Sequence, residues 1–142
     1  MKLASPAFEP HQPIPPKYTA DGQDVSPPLA VEAVPDDAKS LALIVDDPDA
    51  PGKTWVHWIV YGIPVTDRID EAGVPGTQGQ NDFGKLAYGG PAPPSGTHRY
   101  VFKLYALDEE SDWDEGLSKQ EVEQKMEGHV VDQAELVGTY SR

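Results

Sequence analysis

Apolar positions in this chain cluster into short runs, and few of them keep a helical period. Ser40–Asp47 (SLALIVDD) is a brief apolar run closed by two aspartates and a proline turn, which predicts a strand. Thr54–Gly62 (TWVHWIVYG) is β-branched and aromatic throughout and predicts a second. Thr97–Leu107 (THRYVFKLYAL) is the longest candidate, and Ala134–Tyr140 is a last one. Strand side chains alternate. Alternation places Leu41, Leu43, Val45 and Asp47 on one face of the first strand. It places Trp55, His57, Ile59 and Tyr61 together on the second, and His98, Tyr100, Phe102, Leu104 and Ala106 together on the third.

One helix is predicted over 118–128. Ser118 and Glu121 have capping-box spacing, Val122 and Met126 are four apart, and Gly128 can close the last turn. Phe8 to Pro28 reads as loops with short extended pieces, and Ser26-Pro27-Pro28 blocks a helix there. The Gly- and Pro-rich stretch 73–96 must be loop, and a loop of that length usually carries function. Many short strands, one or two short peripheral helices and no βαβ alternation predict a mainly β fold, a β-sandwich.

Composition narrows the picture. A length of 142 residues suits a single domain, 1–142. Gly (13) and Pro (15) are frequent enough to favour many turns over long helices. There is no cysteine, which excludes disulfides, thiolate catalysis and Cys-ligated zinc. The first residues have no apolar core of a signal peptide, and no apolar run approaches a membrane span, so a cytoplasmic location is expected.

The net charge is −13, from 24 acidic and 11 basic residues. Such a chain is repelled by nucleic acid and by anionic membrane surfaces, so neither nucleic-acid binding nor integral membrane association is expected. It also repels itself. At about 1 M salt the screening length falls to roughly 3 Å and that penalty fades. The balance therefore predicts a high-salt cytoplasm, of the kind a halophilic archaeon keeps.

Three stretches carry the chemistry. Asp46-Asp47-Pro48-Asp49-Ala50-Pro51 ends a strand in carboxylates and turns at two prolines; alone, it reads as a solvated Asp-Pro turn. His57 lies in an aromatic strand between Trp55 and Trp58, which can wall a pocket; a satisfied core histidine is the plainer account. Gly89 to Tyr100 is a Gly/Pro loop that lets backbone approach a ligand and leaves N–H groups free for an anion, or is simply a stiff connector. If Asp47, His57 and His98 converge, the imidazoles can hold a phosphate or carboxylate, with Asp47 fixing a histidine proton. Proline rigidity lowers the cost of ordering the site. His11 and His129 receive no role, and Asp108–Glu115 lacks calcium-loop spacing.

These residues resemble the signatures of the phosphatidylethanolamine-binding family, also called Raf kinase inhibitor-like proteins. Asp47-Pro48-Asp49-Ala50-Pro51 is similar to its first signature. Gly90-Pro91, Pro93-Pro94, Gly96 and His98-Arg99-Tyr100 are similar to its second. Ser26-Pro27-Pro28-Leu29, Trp55 with His57, and Asn81-Asp82 support the likeness, which runs from about Phe8 to Tyr140 and is greatest to the short prokaryotic branch. The resemblance implies two antiparallel sheets with a pocket at one end for phosphate-type head groups and other small anions. By motif, the ligand-binding residues are Asp47, Asp49, Trp55, His57, Gly90, Pro93, Pro94, His98 and Tyr100. It also implies a possible homodimer. Ala92 stands where many prokaryotic relatives carry cysteine.

The expected function is binding of a small phosphorylated or carboxylated ligand, without catalysis, metal or cofactor. No serine sits in a nucleophile elbow. Two alternatives are a protease or kinase inhibitor acting through the same pocket, and a metal-dependent hydrolase using Asp47, His57 and His98.

Overall fold

The structure is a computed structural model and describes residues 1–142. Its strands are β1 (Lys2–Ala4), β2 (Leu29–Glu32), β3 (Ser40–Asp47), β4 (Trp55–Ile63), β5 (Arg68–Ile69), β6 (Thr77–Gln78), β7 (Thr97–Leu107) and β8 (Val130–Ser141). Helix α1 (Lys119–Met126) precedes β8, and a 3-10 turn covers Pro16–Tyr18. The strands form two antiparallel sheets, a small one ordered β1-β2-β5 and a large one ordered β6-β4-β3-β7-β8.

The main core lies between the sheets. Leu3, Leu29, Val31 and Ile69 of the small sheet meet Leu41, Leu43, Val45, Phe102 and Leu104 of the large one. A second core covers the other face of the large sheet, where Ala42, Ile44, Ile59 and Tyr61 pack beneath Val122 and Met126 of α1. Strand β3 is therefore buried on both faces along its whole length. That is why its sequence is a continuous apolar run and not an alternating one. Helix α1 begins on the predicted capping box: Ser118 Oγ accepts from the Glu121 N–H at 3.2 Å, and Glu121 Oε1 accepts from the Ser118 N–H at 3.0 Å. Beyond its end Gly128 takes φ 83°, which only glycine adopts without strain.

Two bulges re-aim β4. Val45 pairs with Trp58 but Asp46 pairs with Val56, so His57 is an extra residue opposite no partner. Leu41 pairs with Ile63 and Leu43 with Val60, and the second irregularity falls at Gly62, where φ is +62°. Simple alternation is thus wrong for β4. Trp55 and His57 share a face, but Ile59 and Tyr61 point to the helix-covered core, while Trp58 and Val60 point between the sheets. The loop predicted over 73–96 contains the two-residue strand β6. The last strand extends further in both directions than 134–140.

Candidate functional site

The site forms where β3 ends and β7 begins, at one end of the large sheet. Residue alternation carries the inward face of β3 on to Asp47 and that of β7 back to His98 and Tyr100. The bulge turns His57 to the same side. These side chains line a cleft of about 290 Å³. Trp55, Phe83, Pro51 and the proline pair Pro93-Pro94 supply its apolar walls.

His98 Nδ1 lies 2.6 Å from Asp47 Oδ2, and both side chains are buried. Asp47 Oδ1 accepts the Asp49 N–H at 2.8 Å, which closes the Asp-Pro turn. His57 Nδ1 lies 2.6 Å from the Gly89 carbonyl oxygen. A carbonyl only accepts, so Nδ1 of His57 carries the hydrogen. Both imidazoles are pinned through Nδ1, and neither Nε2 has a partner within the protein. Burial, above all, holds the pKa of His57 below the ordinary histidine value, and hydrogen bonding at Gly89 opposes this only in part. The ring packs edge-on against Tyr100 and Phe83, at 5.2 and 5.4 Å between centroids. The Tyr100 hydroxyl is sealed from solvent and has no hydrogen-bond partner. Burial and the Asp47 charge both raise its pKa. No Lys or Arg lines the cleft.

Of the sequence-predicted residues, Asp47, Trp55, His57, Pro93, Pro94, His98 and Tyr100 line one cleft. Asp49 and Gly90 do not. Asp49 is clamped by Arg99: Nε donates to Oδ2 at 2.9 Å, Nη2 to Oδ1 at 2.8 Å, and the Arg99 N–H also donates to Oδ2. That clamp ties the turn after β3 to the start of β7. The Gly/Pro loop does not offer the free amides expected of it at its first glycines. The Gly89 N–H donates to His57 O at 3.0 Å and the Gly90 N–H to Asp24 Oδ1 at 2.7 Å. Trp58 is no pocket wall; it is core, with Nε1 donating to Gln78 Oε1 at 2.8 Å.

Comparison with known proteins agrees with this fold. The sequence profile described as Phosphatidylethanolamine-binding protein matches residues 4–141. The chain belongs to the phosphatidylethanolamine-binding protein family. Among its relatives in this family, a UPF0098 protein of Methanothermobacter thermautotrophicus is 50% identical, with 100% of this chain and 99% of that protein aligned. A UPF0098 protein of Chlamydia muridarum is 44% identical over 100% of this chain and 99% of its own. The crystal structure of a phosphatidylethanolamine-binding protein homologue of Chlamydia trachomatis is similar at TM-score 0.96 and 42% identity, covering 99% of this chain and 97% of that one. Escherichia coli YbcL, described as a new member of the mammalian family, is similar at TM-score 0.91 and 29% identity, covering 99% and 98%.

Sequence reasoning missed Phe83 as a wall of this cleft. It sits in a loop with no strand pattern, and its placement depends on Asn81. Asn81 Oδ1 accepts the N–H groups of Phe83 and Lys85, each at 3.0 Å, and Nδ2 donates to Ala87 O at 2.8 Å and His57 O at 3.3 Å. The Asn81-Asp82 pair was the available signal. No group of three or more His, Asp or Glu side chains is arranged to hold a metal ion, so Asp47, His57 and His98 form no metal-ligand set. No helix is long and apolar enough to cross a membrane.

Proposed function

We propose that the cleft binds a small anion of phosphate type. The observation that carries this is the pinning of two imidazoles through Nδ1, which leaves both Nε2 atoms free at one cleft. Each Nε2 can donate to an anionic oxygen once protonated, and an anion supplies the reason to protonate. The family takes its name from a phospholipid whose head group carries such a phosphate.

With no ammonium or guanidinium in the cleft, affinity rests on imidazole and exclusion of water. The protein acts in this account as a cytoplasmic binding module with no bond-breaking step, and pairs as a homodimer. Light scattering checks the latter. The main test is a titration of inorganic phosphate followed by the histidine side-chain resonances. Saturable shifts at His57 and His98 are expected. Shifts at neither would remove the anion from the account and leave recognition of a protein partner, the inhibitor reading, as the one to pursue.

A further inference from the structure

A second depression of about 250 Å³ lies beside the cleft, and Phe83 and Ala92 line both. Its own lining includes Asp24, Asn81, Lys85, Tyr88 and Gly90. Phe83 forms the ridge between them. It is 42% exposed, unusual for a phenylalanine, yet it is fixed. Asn81 holds its backbone, and its ring meets Trp55 and His57 edge to face at 5.5 and 5.4 Å.

Asp24 is fixed too. Its φ of 57° is left-handed, a conformation that Asp tolerates better than most residues. Its N–H donates to Lys17 O at 3.0 Å, and its Oδ1 accepts the Gly90 N–H at 2.7 Å. A Cβ on Gly90 would stand 2.5 Å from Asp24 Oδ1 and 2.5 Å from Tyr18 O, so glycine is what admits this contact. Gly90 therefore serves the second depression, not the first. Asp24 Oδ2 has no partner in the protein. Lys85, although it shares the depression and the chain has 24 acidic residues, pairs with no carboxylate. An anion site and a cation site thus face one depression without neutralising each other.

We propose that this depression receives the organic part of the bound phosphate compound, and that this part is an α-amino-acid zwitterion, its ammonium at Asp24 and its carboxylate at Lys85. The inference rests on the phosphate reading of the neighbouring cleft. The ligand class is an O-phosphorylated amino acid, free or as the head group of a phospholipid. A phosphorylated residue within a peptide does not qualify, because its amino and carboxyl groups are spent as amides.

The test compares inorganic phosphate, O-phosphorylethanolamine and O-phospho-L-serine by calorimetry at low salt, with histidine resonances as reporter. Two exposed ion pairs make O-phospho-L-serine about tenfold tighter than inorganic phosphate, with O-phosphorylethanolamine between them. Asp24→Asn keeps the acceptor for Gly90 and is expected to weaken both amines about threefold while leaving inorganic phosphate no weaker. Lys85→Met is expected to erase the advantage of O-phospho-L-serine over O-phosphorylethanolamine. Unchanged binding of inorganic phosphate shows that each variant is folded. Short-chain phosphatidylserine, kept below its micelle concentration, separates the sources: binding as tight as the free ester assigns the lipid, and binding of the monoester alone assigns the free compound. O-phospho-L-serine no tighter than inorganic phosphate, or tighter but indifferent to both variants, overturns the zwitterion site and leaves the cleft reading standing. Failure of every compound to move His57 and His98 overturns both.

Discussion

His98 Nδ1 and Asp47 Oδ2 lie 2.6 Å apart although 51 positions separate the residues in the chain. The contact joins the end of β3 to the start of β7 and fixes how the His98 ring is presented. With Nδ1 held as a donor, Nε2 is the atom left for the cleft. Asp47→Asn permits the amide and the ring to adopt other hydrogen-bonding arrangements. Phosphate affinity at pH 7 is expected to fall by a factor of about ten or more, the worth of one charge-assisted hydrogen bond at about 1.5–3 kcal/mol. Calorimetric titration of both proteins checks this, and equal affinities would contradict the positioning role.

His57 is expected to make stability and anion binding respond to pH in opposite directions. Its folded pKa lies below the ordinary value of 6.5, mainly through burial. The unfolded chain therefore takes up this proton more readily than the folded one. The contribution is fully favourable above the unfolded value and shrinks as pH falls from there toward the lower folded value. Thermal melts at pH 7.5 and 5.5 should show a smaller acid loss in His57→Phe than in the parent. Anion binding should instead be accompanied by proton uptake, visible as binding heats that vary with the ionisation enthalpy of the buffer.

The Arg99 clamp holds the Asp49 pKa down to about 2, first through side-chain hydrogen bonds and then through the Arg99 N–H. A depressed carboxylate stabilises the fold above its unfolded value near 3.8 and loses that contribution as pH falls toward 2. Arg99 is more than half exposed, so solvent screens the pair. Asp49→Ala is expected to cost no more than about 1 kcal/mol at neutral pH. Its larger effect should be a looser turn over 48–53, read as faster amide exchange there.

Asp46 is fully buried on the opposite face from Asp47. Its Oδ2 takes Lys119 at 2.8 Å and Lys103 at 3.2 Å, while Oδ1 has no partner. Both lysines keep about a quarter of their side chains exposed, so either ammonium can return to water. Asp46→Leu together with Lys103→Met and Lys119→Met, which replaces the whole charged cluster by apolar side chains, is expected to be neutral or stabilising by about 1–4 kcal/mol. A lower melting temperature in the variant would show that the charged cluster is needed to seat α1.

The excess of 24 acidic over 11 basic residues predicts a salt response. The melting temperature should rise between about 0.1 and 1 M sodium chloride, as the screening length drops from about 10 to 3 Å. A flat profile would mean that self-repulsion costs this fold little.

Legibility of the fold tracked how local its causes were. Thr97–Leu107 was readable residue for residue as β7, because its alternation faces a core on one side and a mixed surface on the other. The capping box of α1 was readable for the same reason: both of its hydrogen bonds are local. Strands β1, β2 and β5 are two to four residues long and owe their form to one another, so no window of sequence reveals them. In the site, Asp47, His57 and His98 were legible as residue types and through family likeness. Their routes into the cleft were not all legible, since His57 arrives by a bulge set by its partner strand. Phe83 depends on Asn81, whose side chain organises a loop without periodicity.

The unpaired residue in β4 has a consequence for the gene. With Val45 opposite Trp58 and Asp46 opposite Val56, loss of the single codon for His57 leaves a regular ladder in which Trp55 still faces Asp47. Most in-frame deletions inside a buried strand reverse every side chain beyond them. This one is expected to leave the register of the core residues unchanged and to take away an imidazole of the cleft. The deletion is expected to give a folded product that lacks this imidazole, with the Gly89 and Asn81 contacts to the His57 carbonyl among its lost supports, and so a control that separates loss of the site from loss of the protein.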